Sequence, residues 1–253
     1  MPFAAVPGAS LYYEVHGRGP WLVFAHGAGG NHLSWWQQVP AFVDRYRCLV
    51  YAQRGWGRSV TAGEPDPARF AGDLLALLDH VEADDAVLVG QSMGGWSVLG
   101  ATLAAPERVR ALVLTGTLAG LTDDRMLATL AARVDPSRPF DGRLALAPDF
   151  PARAPAATFL FEQIAGLNPP PSPAFLRALV ALRYAVPAGG LPMPVTFLAG
   201  EHDQLFPPDL IRQAHAKCSA ADLVLVPSAG HSVYFECPDE FNRLLATFLR
   251  RLD

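Results

Sequence analysis

The chain has 253 residues, of which 51% are hydrophobic, and a formal net charge of −4. Apolar residues spread along the whole length supply one large core, as α/β domains of this size require. A weakly acidic chain without a basic stripe argues against a nucleic-acid partner. No apolar run is long enough to span a bilayer and no basic amphipathic helix is apparent, so no membrane partner is expected.

The amino terminus and the cysteines both favour a cytoplasmic location. Residues 1–8 lack a basic segment followed by a long apolar stretch, so no secretory signal is expected. Cys48, Cys218 and Cys237 are odd in number and far apart, without a Cys-x-x-Cys pair. This pattern is typical of reduced, structural cysteines in an intracellular protein.

Short apolar segments alternate with amphipathic ones through residue 117. The predicted strands are residues 11–15, 21–25, 48–51, 86–89 and 110–114, and helices are predicted at 31–42, from Asp66 onward and at 96–105. The helix after Asp66 carries an apolar stripe at helical spacing, formed by Phe70, Leu74, Leu77, Leu78 and Val81. The alternation predicts an α/β fold with a mostly parallel, doubly wound sheet whose strands end at one edge.

The alternation stops between residues 118 and 191. This segment has helical stretches at 123–133, 156–167 and 174–184, with proline-rich connectors such as 169–173. Because proline breaks helices and stiffens connectors, the segment is predicted to be a helical insertion. The strand pattern returns at 194–200 and 222–226, with helices at 208–217 and 238–252, so the core is predicted to comprise residues 1–117 and 192–253.

The strand at 86–89 leads directly into Gly90-Gln91-Ser92-Met93-Gly94. In a nucleophile elbow, the serine occupies a sharp, strained turn between strand and helix, and its hydroxyl projects above the sheet edge. Gly90 and Gly94 lack a Cβ, which allows strand and helix to approach closely. The alternative is an ordinary β–α turn that contains a serine, but the strand before and the helix after Ser92 favour the elbow. Ser92 is therefore the candidate nucleophile.

A serine hydroxyl needs a histidine to take its proton and a carboxylate to orient that histidine. Three histidines follow Ser92, namely His202, His215 and His231. His231 comes directly after the last predicted strand and is the candidate base; the alternative is a surface-loop histidine. His215 lies within a predicted helix among polar neighbours, and we expect it to face solvent.

Asp203 follows the preceding predicted strand and is the candidate acid. Glu201 is the nearest rival, two positions earlier. A loop aspartate often serves only as a helix cap or turn former, so the assignment depends on Ser92 and His231. His202 could compete as the base, but it would leave the acid unexplained.

The loop His26-Gly27-Ala28-Gly29-Gly30 follows the strand at 21–25. Its glycines allow backbone N–H groups to point at a developing negative charge. We expect the N–H groups of Ala28 and Met93 to form an oxyanion hole, with Met93 at a helix amino terminus. His26 precedes the serine in sequence and is expected to hold the loop by hydrogen bonds.

The sequence lacks the spacings typical of metal and nucleotide sites. There is no His-Glu-x-x-His and no Cys/His cluster, and the glycine-rich loops match neither Gly-x-Gly-x-x-Gly nor the phosphate-binding Gly-Lys-Ser/Thr motif. We therefore expect neither a metal ion nor an organic cofactor.

In their order along the chain, five motifs resemble those of the α/β-hydrolase superfamily, especially its small capped esterases, lactonases and C–C hydrolases. The motifs are His26-Gly27, Gln53-Arg54-Gly55-Trp56-Gly57-Arg58-Ser59, Gly90 to Gly95, Gly200-Glu201-His202-Asp203 and Gly230-His231. The resemblance implies a Ser92–Asp203–His231 triad, an oxyanion hole at Ala28 and Met93, and a cap at 118–191 that sets specificity.

One position departs from the family pattern. The family usually has an aspartate two residues before the Arg-Gly of the glycine-rich loop, where this chain has Ala52. The departure puts the local structure of that loop in doubt and leaves the triad unaffected. Serine at position 92 also excludes the family branches that attack with an aspartate.

These features predict a cofactor-free serine hydrolase that cleaves a small carboxylic ester or lactone through an acyl-enzyme. The inserted segment is rich in Leu, Ala, Phe and Pro, which favours a substrate with an apolar portion. Two alternatives remain: cleavage of a carbon–carbon bond in a diketone-type substrate, and a ligand-binding receptor without turnover. A receptor has no need to keep both the triad and the oxyanion loop.

Overall fold

A computed structural model describes residues 2–132, 141–218 and 220–252 of the chain. Within these ranges nine strands form one sheet in the order β1-β2-β4-β3-β6-β7-β8-β9, with β5 paired to β2. The strands are β1 (Phe3–Val6), β2 (Ala9–His16), β3 (Trp21–Ala25), β4 (Arg47–Tyr51), β5 (Val60–Thr61), β6 (Ala86–Gln91), β7 (Val109–Thr115), β8 (Val195–Gly200) and β9 (Asp222–Val226).

The sheet is parallel from β4 through β3, β6, β7 and β8 to β9, and β1, β2 and β5 join it in antiparallel pairs. Every residue of β3, β6 and β8 is buried. Strands covered by helices on both faces must be apolar throughout, which explains these continuous apolar runs. The predicted mostly parallel sheet is therefore confirmed.

Helices cover both faces of the sheet. They are α1 (Val39–Phe42), α2 (Phe70–His80), α3 (Met93–Ala104), α4 (Asp124–Ala131), α5 (Phe150–Arg153), α6 (Pro155–Gly166), α7 (Pro173–Ala181), α8 (Pro208–His215), α9 (Val233–Glu236) and α10 (Pro238–Leu249). Alternate strand residues point to opposite faces, so Leu88 joins the core beneath α2 and α3, and Val87 joins the core beneath α10.

The helix predicted at 31–42 is wrong in extent. The structure has a 3₁₀ turn at His32–Trp35, capped by the Asn31 side chain, and then the four-residue α1. Pro40 lies in the first turn of α1, where its missing N–H is tolerated. A continuous helix would need that N–H for a hydrogen bond to the preceding turn, so the first turn ends at Trp35 and a new helix begins at Val39. The antiparallel β1 and the two-residue β5 were not predicted either.

The inserted segment, residues 118–191, contains α4, α5, α6 and α7. The predicted helix at 123–133 corresponds to α4, and Arg133 lies outside the described residues. The segment packs onto the core at several points. Phe175 of α7 lies 5.0 Å from the Trp56 ring, Phe161 of α6 lies 5.1 Å from Phe235, and Trp96 Nε1 donates to the Leu182 carbonyl.

Asn168, after α6, connects the inserted segment to two core loops. Its Oδ1 accepts hydrogen bonds from the Gly57 N–H, at 2.9 Å, and from Asn31 Nδ2, at 3.2 Å. Asn31 Nδ2 also donates to the Ile164 carbonyl of α6. The segment is thus bonded to the glycine-rich loop and to the end of the 26–31 loop.

No helix among the described ranges has the length and apolarity to cross a membrane.

The loop after β4 is held by other groups in the absence of an aspartate at position 52. The Ala52 N–H donates to the Tyr12 carbonyl, and Ser59 Oγ donates to the Ala52 carbonyl at 2.6 Å. The Arg54 guanidinium donates to both carboxylate oxygens of Asp73 on α2, at 2.7 and 2.6 Å, with both side chains buried. This bidentate pair anchors the loop to α2.

Replacing Asp73 with alanine should lower the free energy of unfolding by about 3–5 kcal/mol, because Arg54 would keep a buried charge without its partner. Asp79→Ala, on the same helix, is the matched control. It removes one of the two carboxylate partners of Arg108, which keeps Asp84. Since the Asp79 side chain is also 66% exposed, the loss should stay below about 1 kcal/mol. Urea unfolding of both variants measures the difference, and equal losses would contradict the anchoring role.

Candidate active site

Ser92 lies between β6 and α3 in a strained backbone conformation, with φ 49° and ψ −119°. Such a conformation costs a non-glycine residue on the order of 1–3 kcal/mol and persists only where its surroundings hold it. The Ser92 N–H donates to the Thr115 carbonyl of β7, at 3.1 Å. Its carbonyl accepts from the Gly95 N–H and from Thr117 Oγ1. The side chain is half-buried.

Two glycines permit the close approach of β3, β6 and α3 at this turn. A Cβ added to Gly94 would lie 2.2 Å from the Ala25 carbonyl oxygen, and one added to Gly90 would lie 2.5 Å from a Val98 methyl. Real Cβ atoms do not approach other atoms so closely, so a side chain at either position would push the elements apart. The predicted strand–turn–helix geometry around Ser92 is present.

Asp203 and His231 form a buried hydrogen-bonded pair. Asp203 Oδ2 lies 2.8 Å from His231 Nδ1, and the other carboxylate oxygen accepts the N–H groups of Leu205 and Phe206. An ionised carboxylate only accepts hydrogen bonds, so this contact assigns the ring proton of His231 to Nδ1. Nε2 is left with a lone pair that can accept a proton.

The rival acid and base candidates do not join this pair. Glu201 and His202 are both exposed, whereas Asp203 is buried. The expectation that His215 faces solvent is wrong. Its Nε2 donates to the Ala221 carbonyl at 2.8 Å, and its ring packs edge-on against Phe197. The half-buried His215, the last residue of α8, therefore connects that helix to the residue before β9.

The His231 loop abuts the end of the sheet that carries Ser92. The His231 carbonyl accepts from Gln91 Nε2 at 3.4 Å, and Gln91 directly precedes the serine. A Cβ on Gly116, after β7, would lie 3.5 Å from His231 Nδ1. The Phe206 ring packs edge-on against the imidazole, with ring centroids 5.2 Å apart. The carboxyl ends of β6, β8 and β9 therefore bring the three candidate residues to one edge of the sheet.

Ala28 and Met93 lie on the two chain segments that meet at the elbow. A Cβ on Gly27, the residue before Ala28, would lie 2.9 Å from Ser92 Cβ. Met93 is the first residue of α3, where backbone N–H groups have no partner within the helix. The Ala28 carbonyl is oriented by Trp56, whose Nε1 donates to it at 2.7 Å.

His26 holds the loop before Ala28 in place. The Gln53 N–H donates to His26 Nε2 at 2.8 Å, so the ring proton is on Nδ1, which donates to the Gly27 carbonyl at 2.7 Å. Gln53 Nε2 also donates to the His26 carbonyl. The ring is fully buried, and this burial lowers the pKa of His26 to about 4. A neutral His26 thus joins the 26–30 loop to the glycine-rich loop, as expected.

Glu236 is a buried site residue that the sequence analysis missed. Its carboxylate accepts the N–H groups of Gly230, Ser232 and Ala147, at 3.0, 3.2 and 2.7 Å. Burial raises the pKa of Glu236, and the three N–H donors oppose that effect. The available signal was an acidic residue that directly follows the apolar run Val233-Tyr234-Phe235.

Comparison with known proteins identifies the class. Residues 22–244 match the Alpha/beta hydrolase family, and the chain belongs to that family. It is 29% identical over 269 residues to a protein of Caulobacter sp. (strain K31) named as the carbamate hydrolase RutD, covering 94% of this chain and 95% of the relative. It is 28% identical over 260 residues to a protein of Mycobacterium tuberculosis (strain H37Rv) named as the non-heme bromoperoxidase BpoC, covering 94% and 97%.

Among solved structures, the fold is similar to that of a thermophilic esterase from Thermogutta terrifontis. The TM-score is 0.81, the sequence identity is 25%, and the match covers 99% of this chain and 97% of the esterase. The enzyme class that these comparisons support is hydrolytic. The relatives carry different activity names, so the substrate is a separate question.

The buried neutral His26 predicts a loss of stability in acid. The unfolded chain protonates this histidine near its ordinary pKa of about 6.5, whereas the folded protein keeps it neutral down to about 4. Between these values the unfolded state binds the extra proton, so the free energy of unfolding falls as the pH falls. The contribution of His26 is on the order of 3 kcal/mol.

Urea unfolding at several pH values between 7 and 4 measures this slope, and His26→Gln should flatten it. His202→Gln, at an exposed position, is the matched control and should keep the slope of the parent protein. An unchanged slope in His26→Gln would show that His26 is not the responsible group. His32, whose pKa burial also lowers, would then be the next variant to measure.

Proposed function

We propose that the protein is a serine hydrolase that cleaves a small carboxylic ester or lactone through an acyl-enzyme intermediate. One observation carries the proposal: the buried Asp203–His231 pair abuts the sheet edge on which Ser92 occupies a strained elbow. Serine activation requires a histidine with a free Nε2 lone pair near the serine, and the shared sheet edge of His231 and Ser92 supports this arrangement.

In the proposed reaction, Ser92 Oγ attacks the carbonyl carbon while His231 Nε2 takes the hydroxyl proton. The N–H groups of Ala28 and Met93 donate to the oxyanion of the tetrahedral intermediate. When the carbon–oxygen bond breaks, the His231 imidazolium returns the proton to the leaving alkoxide, and the acyl group stays on Ser92. His231 then activates a water molecule, which releases the carboxylic acid and restores the serine.

The role of Asp203 is to orient His231 and to stabilise the imidazolium form. Its carboxylate is itself held by two backbone N–H groups, so it keeps one fixed direction toward Nδ1. A lactone substrate follows the same steps, except that the released alcohol group remains part of the acyl chain, so hydrolysis of the acyl-enzyme yields a single hydroxy acid. No step needs a metal ion or an organic cofactor.

We further propose that the inserted segment, 118–191, is the cap that encloses the substrate's apolar portion, while residues 1–117 and 192–253 form the core. The Trp96–Leu182 hydrogen bond connects it to the helix after the elbow, and Asn168 connects it to Asn31 at the end of the loop that carries Ala28. The apolar composition of the segment favours an apolar acyl or alcohol group over a highly charged one.

The comparisons support acyl transfer and widen the range of substrates to test. The esterase among the similar structures favours an ester substrate. The relative named for carbamate hydrolysis adds carbamates, whose carbonyl is flanked by nitrogen, to the substrates to be tested. The main alternative remains hydrolysis of a carbon–carbon bond in a diketone-type substrate by the same residues. A panel of p-nitrophenyl esters of rising chain length, lactones, carbamates and diketones separates these classes by their kcat/KM.

Ser92→Ala should lower ester kcat by at least about 10⁴-fold, because catalysis would then rest on the oxyanion hole and binding alone. A fluorophosphonate probe should label the parent protein once per chain and leave Ser92→Ala unlabelled, as measured by intact-mass spectrometry. Ser10→Ala, on β2, is the control and should label like the parent. A folded parent protein that takes no label would rule out the serine hydrolase.

Asp203→Asn should lower kcat by about 10³- to 10⁴-fold, because an amide that donates to Nδ1 stabilises the wrong tautomer of His231. Glu201→Gln removes the exposed rival carboxylate two residues away and should stay within about twofold of the parent protein. Steady-state kinetics on the best ester of the panel measures both. If the two variants are equally active, Asp203 is not the acid.

A further inference from the structure

We propose that Glu236 is a positioning residue for His231. Through Glu236 and Gln204, the Leu146–Ala147 backbone of the inserted segment connects the loop that carries Asp203 to the loop that carries His231. The inference rests on the proposed function, in which His231 is the base. Among the described residues, the Glu236 carboxylate accepts hydrogen bonds from backbone N–H groups, and none of these bonds reaches the imidazole or Ser92. It would act by holding the backbone from which His231 extends.

The carboxylate holds the peptide groups on both sides of the histidine. Glu236 Oε1 accepts the Gly230 N–H at 3.0 Å and the Ser232 N–H at 3.2 Å. The α9 backbone closes the loop, because the Glu236 N–H donates to the Ser232 carbonyl at 2.9 Å. With the residues before and after it fixed to one carboxylate oxygen, His231 has little freedom to rotate its backbone.

The second carboxylate oxygen extends this contact to the inserted segment. Glu236 Oε2 accepts the Ala147 N–H at 2.7 Å. A Cβ added to Gly230 would lie 2.3 Å from the Ala147 nitrogen, so the two backbones are in direct contact. Position 230 therefore requires glycine for this approach.

The same stretch of inserted backbone also reaches the acid loop. The Leu146 carbonyl accepts from Gln204 Nε2 at 3.0 Å, and Gln204 directly follows Asp203. Leu146 and Ala147 are at most 1% exposed. One buried peptide segment is thus bonded to the loop of Asp203 on one side and, through Glu236, to the loop of His231 on the other.

A carboxylate at this position carries a desolvation cost that an apolar residue would avoid, and three backbone donors offset it. Two of the donors, Gly230 and Ser232, flank His231, and the third, Ala147, lies on the inserted backbone that contacts Gly230. The buried Glu236 carboxylate, despite its desolvation cost, therefore lies where the orientation of His231 is determined. Displacements of about 1 Å in such a site can lower the rate on the order of 10²-fold.

Glu236→Ala should lower kcat on the order of 10²-fold, with KM within about threefold of the parent value, since Glu236 touches no substrate. Glu236→Gln keeps one carbonyl oxygen for Gly230 and Ser232 but turns an NH₂ group toward Ala147, so it should recover part of kcat. Gln204→Leu cuts the other connection to Leu146 and should lower kcat by a smaller factor. If Glu236→Ala does not fold, the other two variants still test the proposal.

Two controls separate positioning from a general structural role. Leu245→Ala, in the core beneath α10, should lower the melting temperature while keeping kcat at the parent value. In a His231→Ala background, Glu236→Gln should produce no further loss of the residual rate, because its effect passes through the histidine. A loss of equal size in both backgrounds, or a parent-like kcat in every Glu236 variant, would overturn the proposal.

The outcomes also distinguish this inference from the proposed function. If the parent protein takes no fluorophosphonate label, the proposed function fails. If the parent labels and His231→Ala is inactive while the Glu236 variants keep full kcat, then the proposed function stands and only the positioning role is wrong.

Discussion

The strained turn at Ser92 is the constraint on which the rest of the structure depends. A serine with positive φ is held there because Thr115, at the end of β7, and Thr117, just after it, bond to the Ser92 backbone, and because Gly90 and Gly94 let strand and helix meet. These requirements place β6 between β3 and β7 in the centre of the sheet. The loops after those neighbouring strands then lie beside the serine, and the whole candidate site assembles along one edge.

The sequence predicts the parts of this site whose signals are local. Gly90 to Gly94 sits between a clear strand and a clear helix, and Asp203 and His231 each follow an apolar strand, so parallel topology alone brings them to one edge. The sheet type follows from the same alternation. Likewise, the glycines around Ala28 indicate a backbone donor loop without any knowledge of the tertiary structure.

Long-range contacts account for what the sequence does not predict. His215 turns inward because the Ala221 carbonyl and the Phe197 ring lie beside it, and neither contact follows from helical periodicity. The Arg54–Asp73 pair stabilises the loop in which Ala52 replaces the aspartate usual in the family. Its two members lie 19 residues apart in sequence, so the pairing does not follow from a local pattern. Glu236 follows an apolar run, which marks it as a candidate for burial, but its partners are backbone groups of two separate segments, and these do not follow from the sequence. The helix at 31–42 fails for a different reason, since its apolar spacing concealed a break before Pro40.

The attachment of the inserted segment has a consequence for exchanging it between relatives. After α6, Asn168 is bonded to Gly57 and Asn31, and before α5 the Leu146–Ala147 peptide is bonded to Gln204 and Glu236. A foreign segment in a chimaera would therefore have to match partners on three core loops and on α9. Under the proposed roles of the segment and of Glu236, specificity and catalytic geometry would be coupled, and a new substrate range would be reached more readily by changing side chains within the segment than by replacing it.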